Sequence, residues 1–242
     1  MGQVLLYSAI SGLALFVGAG LGSIFNLSKK SIAVIMAFGS GALICALTFG
    51  LMEEAFKHGG FDAIAIGFIL GGIVFIFGDY LIHKLGGRPK RRFGKFKNSD
   101  TNGEAITLGA VLDGIPESAA LGIALFNNPK LGFLMLIAII LSNFPEGMSS
   151  VPGLIKEGFS KRKILGTWLV VAVISVLVAV ASYLFLNDID PNTLGIMESF
   201  AAGAILAMLA DTMMPEAFEE GGYAIGLSTV LGFLATFVVS KI

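Results

Sequence analysis

The sequence predicts an all-α integral membrane protein: eight transmembrane helices in a 3+2+3 arrangement, with inverted repeats. Three observations carry that expectation. Hydrophobic residues fill 55% of the 242 positions and charged residues only 14%, against about a quarter charged in soluble domains, and mean hydropathy is +0.87. Eight apolar stretches, each close to the ~20 residues of a bilayer crossing, follow one another with short polar gaps. Two segments also recur along the chain in an order that reverses across the membrane. This balance excludes a disordered chain, a nucleic-acid binder and an ordinary cytosolic enzyme. One cysteine, Cys45, and two histidines exclude a disulfide framework or a Cys/His zinc module.

The first stretch, 4–27, has no basic leader and no small-residue cleavage site, so it reads as a retained helix. Its Ala14, Gly18 and Gly22 recur every four positions, which lets helix backbones approach closely in lipid. The second and third stretches are 32–54 and 61–83. The segment 85–103, with its run RPKRRFGKFK, is the one polar linker of any length. It reads as a solvated topology determinant, with anionic lipid headgroups as a second reading. Stretches 104–126 and 130–154 form a central pair, and 163–186, 193–217 and 222–241 complete the chain. The organisation is a single polytopic domain, 1–242: helices 1–3 in 1–84, a cytosolic basic loop at 85–103, helices 4–5 in 104–156 and helices 6–8 in 157–242.

Eight crossings place both termini on one side, and Lys and Arg choose which. With the termini extracytoplasmic, the cytosolic loops hold Lys29, Lys30, Lys84, Arg88, Lys90, Arg91, Arg92, Lys95, Lys97, Lys156, Lys161, Arg162 and Lys163. The other face holds only Lys57, Lys130 and Lys241. Glu219 and Glu220 are a mild exception on the cytosolic side. The expected location is the cell (inner or plasma) membrane.

Residues 38–60, FGSGALICALTFGLMEEAFKHGG, align without gaps with 200–222, FAAGAILAMLADTMMPEAFEEGG. Phe38, Gly41, Ala42, Leu47, Met52, Glu54, Ala55, Phe56, Gly59 and Gly60 all recur identically. Helices 2 and 7 run in opposite directions in this topology, so the repeat is inverted. LDGIPES at 112–118 likewise matches LSNFPEG at 141–147 on the oppositely directed helices 4 and 5. Inverted repeats with interrupted helices at their interface mark secondary transporters.

Helix 4 carries Asp113, Pro116 and Glu117 near its middle, and helix 5 carries Ser142, Asn143, Pro145 and Glu146. Asp113 and Glu117 are four apart and share a helix face. Each proline removes a backbone donor, so both helices should kink and expose the carbonyls of Leu112 and Leu141. A carboxylate at bilayer depth costs about 2.5–3.5 kcal/mol, so three in two short segments require compensation. A divalent cation supplies it directly. Protons supply part of it, since like-charged neighbours raise each other's pKa. Oxygen donors from Asp113, Glu117, Glu146 and Asn143 make a hard-leaning cation site. The structural alternative is hydrogen bonding between helices or the lining of a water cavity.

With these motifs the chain resembles a bacterial branch of the ZIP (Zrt-, Irt-like protein) family of divalent metal transporters, whose bacterial pattern on helices 4 and 5 is close to H-N-x-P-E-G. The resemblance covers nearly the whole chain. It implies that Glu117 and Glu146 are shared metal ligands. Asp113 and Ser142 then occupy the family's His-type positions, and Gly114 and Asn143 its Asn-type positions. The metal is cargo, one of zinc, manganese, iron, cobalt or cadmium, and no prosthetic group is implied. The departures are specific. Neither helix has a His, Ser142 is a weak neutral ligand, Gly114 offers none, and helix 6 has no Asp or Glu between Ile164 and Leu186. One site is therefore expected rather than two. Zinc favours His and Cys as well as carboxylate, so an oxygen-rich site tilts toward manganese or ferrous iron.

Outside the centre, the repeat pairs Glu54 at the outer end of helix 2 with Glu216 at the inner end of helix 7, candidate entrance and exit stations. Glu53 and His58 would assist outside, and Asp211 would line the inner path. Solvated helix-end carboxylates are the plain alternative. Asp79 and His83 read as a salt bridge or interfacial cap. Glu198 reads as a charge at the opening of helix 7, suited to the helix dipole. Met52, Met213 and Met214 read as filler, and Cys45 as packing. The leading function is divalent metal transport toward the cytosol, with rocking of the repeats against the central pair. The alternative is a proton- or sodium-coupled carrier of a non-metal solute using the same carboxylates. A membrane enzyme is disfavoured: no H-E-x-x-H run exists, and Ser142 lacks an evident base. Partners are metal ions and the bilayer, with no nucleic acid; a homodimer is compatible with this reading.

Overall fold

The computed structural model describes residues 1–25, 28–84 and 103–241, and of residues 83 and 103–106 the backbone only. The basic run with Arg88, Lys90, Arg91, Arg92, Lys95 and Lys97 lies outside the described residues, as does the side chain of His83. Among the described residues the structure is helical throughout: α1 (Gly2–Ile24), α2 (Lys29–Ala46), α3 (Glu53–Lys84), α4 (Gly103–Asn127), α5 (Pro129–Lys156), α6 (Lys161–Phe185), α7 (Pro191–Met208), α8 (Met214–Gly221) and α9 (Ala224–Lys241). Short π-helical segments, Leu47–Met52 and Leu209–Met213, join α2 to α3 and α7 to α8.

Local sequence starts these helices. Ser28, Asn128, Ser160 and Asp190 cap α2, α5, α6 and α7 by accepting from the backbone N–H of Ser31, Lys130, Lys163 and Thr193. Pro129 and Pro191 follow their caps at a position where no N–H is needed. Seven helical runs among the described residues are long and apolar enough to cross a membrane. The expected second and third helices form one of these, the 54-residue run Lys29–Ile82. An unbroken helix of that length would extend about 80 Å, far beyond the ~30 Å hydrocarbon core. It is interrupted at Gly60, at φ 65° and ψ −160°, a conformation essentially confined to glycine. Its repeat partner Gly222, at φ 63° and ψ −142°, separates α8 from α9. The next residues, Phe61 and Tyr223, are 74% and 98% exposed, as suits aromatic anchors at membrane–water interfaces.

The internal repeat is visible in the packing. Gly41 of α2 meets the backbone of Thr229 on α9 so closely that a Cβ would collide with its carbonyl, and Gly203 of α7 meets Phe68 of α3 in the same way. Gly232 against Phe38 and Gly71 against Phe200 are a second such pair. Each contact maps onto its counterpart when the repeats are exchanged, and the two π-helical segments also correspond. The association crosses between repeats: α2 lies on α9, and α3 lies on α7. Both pairs are parallel. Along α2 and α9, Ser228 donates to the Val34 carbonyl and, farther on, the Phe49 and Phe237 rings stand 5.1 Å apart. Along α3 and α7, Gly59 faces Asn192 and Gly71 faces Phe200.

A second body consists of α1, α4, α5 and α6, which pack on one another. The Ala14, Gly18, Gly22 stripe performs as its spacing predicts. Ala14 is buried, Gly18 sits against the Phe144 carbonyl and Gly22 against Met148 and Val151 of α5. In space the central pair takes α1 and α6 as partners, and α2, α3, α7 and α9 form the surround. The two bodies touch mainly where α2 meets α5 and where α4 meets α7.

Pro116 and Pro145 do not divide their helices; α4 and α5 run continuously through them. The Leu141 carbonyl, deprived of its donor by Pro145, is not exposed. It packs against Gly39 of α2, where a side chain would collide with it. Outward, Ile66, Ile69, Ile73 and Phe77 on α3 and Leu227, Leu231, Leu234 and Val238 on α9 form exposed apolar stripes, the surfaces a bilayer would cover.

Candidate metal centre

At the crossing of α4 and α5 the sequence-predicted ligands come together in part. Asp113 is 7% exposed and Glu117 1%, one helical turn apart on α4. Ser142 is fully buried, and Asn143 nearly so, on α5. Ser142 Oγ lies 3.1 Å from Glu117 Oε1, so its hydroxyl donates to the carboxylate, and it lies 3.0 Å from the Ile139 carbonyl of its own helix. Asn143 Nδ2 donates to the Ser11 carbonyl of α1 at 3.2 Å. That bond fixes the amide. Glu117 Oε2 and Asn143 Oδ1 are buried and accept no hydrogen bond among the described residues. The charge of Asp113 bears directly on Glu117. Gly114, at the position without a side chain, faces Ser175 of α6, whose Oγ would lie 3.5 Å from an added Cβ.

Glu146 is half-buried on α5, and no three His, Cys, Asp or Glu side chains among the described residues converge to hold an ion. The chemistry assembled is two carboxylates with a hydroxyl and an amide oxygen, a donor set suited to a divalent cation with hard or borderline preference.

The outlying candidates are dispersed. Glu54 is half-buried and pairs with Lys57 at 2.8 Å, while Glu53 reaches the same ammonium at 3.3 Å; exposed pairs of this kind contribute little. Asp211 is exposed, and Asp79 lies near enough for the two charges to interact. Glu216 is half-buried. Its neighbour Glu220 bonds Lys29 at 2.8 Å and so ties α8 to α2. Cys45 is buried and free, as packing would have it.

Glu198 is corrected by the structure. Asp190 caps α7, so Glu198 lies two turns inside the helix, beyond the reach of the dipole. It is fully buried. His58 Nδ1 stands 3.0 Å from Oε2, and Asn127 Nδ2 donates to Oε1. Sequence reasoning passed over this cluster. The available signal was a carboxylate in an otherwise apolar stretch, with His58, one of the chain's two histidines, just before the paired glycines Gly59 and Gly60.

Residues 94–240, more than half of the chain, match the model of the ZIP zinc transporter family. The chain belongs to that family. It is also similar to an Arabidopsis thaliana protein named provisionally as a zinc transporter, with 25% identity over 219 residues that cover 88% of this chain. This ZIP chain spans only 35% of that relative's length. The family match includes both Pro-Glu motifs, so Glu117 and Glu146 lie inside the matched region of this ZIP protein.

Proposed function

We propose that the protein carries divalent metal cations across a membrane, toward the cytosol, through the site at Asp113, Glu117, Ser142, Asn143 and Glu146. The observation that carries this reading is the buried Asp113–Glu117 pair, in a ZIP chain, held by the Ser142 hydroxyl, with Glu117 Oε2 and Asn143 Oδ1 buried and accepting no hydrogen bond among the described residues. A lone carboxylate in apolar surroundings costs several kcal/mol. Two together are tolerable only if something positive visits them. The cation would meet Asp113 and Glu117 as its charged ligands and take Asn143 Oδ1 as a neutral one. Ser142 orients Glu117, and Glu146 would join as α5 adjusts. The oxygen-rich set is compatible with zinc and equally with ferrous iron or manganese; cobalt and cadmium belong in the same comparison.

Eight crossings, with both termini extracytoplasmic in the cell membrane, are part of this proposal. Support comes from the interruption at Gly60, the aromatic residue after each glycine break and the parallel pairing of α2 with α9 and α3 with α7. Glu54 and Glu216, repeat partners at opposite ends, would serve as entrance and exit stations, with Asp211 on the inner path. The two packed bodies suggest that α1, α4, α5 and α6 move together against α2, α3, α7 and α9, in place of whole repeats rocking about the central pair.

The test is uptake of zinc, manganese, ferrous iron, cobalt and cadmium by proteoliposomes containing the native chain, Glu117→Ala or Glu146→Ala. Saturable uptake that disappears in both variants, with normal amounts of protein in the membrane, is the expected result. Full uptake by both variants would sink the carboxylate site. Ion-driven flux of another solute in place of metal would favour the proton- or sodium-coupled carrier.

A further inference from the structure

We infer that Asn127, Glu198 and His58 form a one-sided latch that holds the α1/α4/α5/α6 body closed against its surround at the end where α4 finishes. They act as positioning residues for the opening of the metal path. The inference rests on the two-body transport reading above and deepens it.

Two observations lead there. The first is the connectivity of the cluster. Asn127 is the last residue of α4, in one body. Glu198 is on α7 and His58 on the segment before Gly60, both in the other. Glu198 is fully buried and receives a bond from each direction, and the charge of Glu54 also reaches it. Moving α4 away from α7 would strand a buried carboxylate without its amide donor, which is costly.

The second is the failure of internal symmetry at this place. The repeat that relates Gly41 to Gly203 relates Glu198 to Met36 and His58 to Glu220, and the match of Glu117 with Glu146 relates Asn127 to Lys156. Met36 is buried and apolar, while Glu220 bonds Lys29 within its own body. Among the described residues the latch has no counterpart at the other end. Burial follows the same asymmetry. Glu117, Ala120, Ala124 and Asn127 lie at steps of three and four along one face of α4. Ala120 is 0% and Ala124 2% exposed. Their counterparts beyond Glu146, Ser149 and Gly153, are half-buried, and Lys156 is exposed. The stripe leading away from Glu117 is sealed at the latch, and its image leading away from Glu146 is not.

Two single-cysteine reporters read this out. The chain has one native cysteine, so Cys45→Ala gives a background without thiols, into which Ala120→Cys or Ser149→Cys is placed. Protein in nanodiscs, open to water on both faces, is labelled with a hydrophilic maleimide. With the latch intact, Ser149→Cys should react faster than Ala120→Cys. Asn127→Ala should raise the rate at position 120 about tenfold, equivalent to ~1.4 kcal/mol, and lower the rate at position 149. This reciprocal change is one that general loosening would not produce, since loosening raises both. Glu198→Gln provides a second route if Asn127→Ala does not fold. Unchanged rates at both positions, or a rise at both, in a folded latch variant overturns the inference. Chlorides of zinc, manganese, ferrous iron, cobalt and cadmium, each added alone to the reporters with the latch intact, test the transport reading separately. If none of them moves either rate, that reading fails whatever the latch variants do.

Discussion

Replacing Glu117 by Gln separates a ligand from a structural carboxylate, because stability and metal response should move apart. Glu117 is 1% exposed, with Oε1 held by Ser142 and Oε2 accepting nothing. Gln has the same size, and its carbonyl oxygen can keep the Ser142 hydroxyl, so packing is preserved. The variant loses a carboxylate whose placement at bilayer depth costs up to about 3 kcal/mol. Without metal it should therefore be as stable as the native chain or more so. For a chain of this size each kcal/mol shifts Tm by roughly 2–4 °C, which limits the gain to about 12 °C. Metal at one hundred times its Kd stabilises a binding-competent fold by about 2.7 kcal/mol, roughly 5–11 °C on the same scale. Loss of a neighbour of a metal ligand already weakens affinity 10–100-fold. Loss of the ligand itself by ~100-fold would leave about 0.4 kcal/mol and a shift near 1 °C. The assay is thermal unfolding of the purified protein with and without zinc chloride. A native-sized metal shift in Glu117→Gln, or a fall of more than about 5 °C without metal, would refute the assignment of Glu117 as a ligand.

Gly41→Ala and Gly203→Ala should each destabilise by at least the ~1–3 kcal/mol of overpacking, and by similar amounts, since their contacts with Thr229 and Phe68 are images of one another. The control is Gly166→Ala, with nothing within 4 Å, where the helix should gain roughly 0.5–1 kcal/mol; melting of the solubilised protein measures all three. Asp190 lies before α7, and its carboxyl is held below the ordinary carboxylate range, first by the Thr193 hydroxyl and then by the Thr193 N–H. A lowered folded-state pKa means the cap's contribution is present above the unfolded value and disappears as pH falls through the lowered one. Hydrogen exchange at the Thr193 amide should stay slow until that acid limit, and be fast at every pH in Asp190→Ala. Exchange in the native chain that accelerates already at mildly acidic pH would count against the cap.

Much of the architecture was legible because its causes are local. Apolar runs of bilayer length and the spacing of Ala14, Gly18 and Gly22 both act within a few turns of one helix. The pairing of Gly60 with Gly222 was readable as repeated letters, although its meaning, a break in a helical run, required the backbone. The carboxylates of α4 and α5 were legible as chemistry, since charge in an apolar run is costly wherever it ends up. Their relative placement was not. Asp113 and Glu117 share a helix and so share a face, whereas Glu146 belongs to a second helix whose rotation no local rule specifies.

The proline expectation shows where local reasoning stops. Pro116 and Pro145 each remove a hydrogen bond, but whether the freed carbonyl is exposed depends on the neighbour, and at Leu141 the neighbour is Gly39 of α2. The same holds for Glu198. Its partners Asn127 and His58 are 71 and 140 residues away, and nothing in its own helix announces them. The sequence alone determined that the chain lives in a membrane, that it is helical, that it contains an inverted repeat and that helices 4 and 5 carry carboxylates at their Pro-Glu motifs. Hydropathy and helical period depend only on residue order. Only the tertiary structure decided which helices pair across the repeat, which hydroxyl reaches Glu117 and which donors reach Glu198. Those depend on surfaces that meet from distant parts of the chain, where small residues let backbones touch and a buried charge must find whatever donor the packing brings.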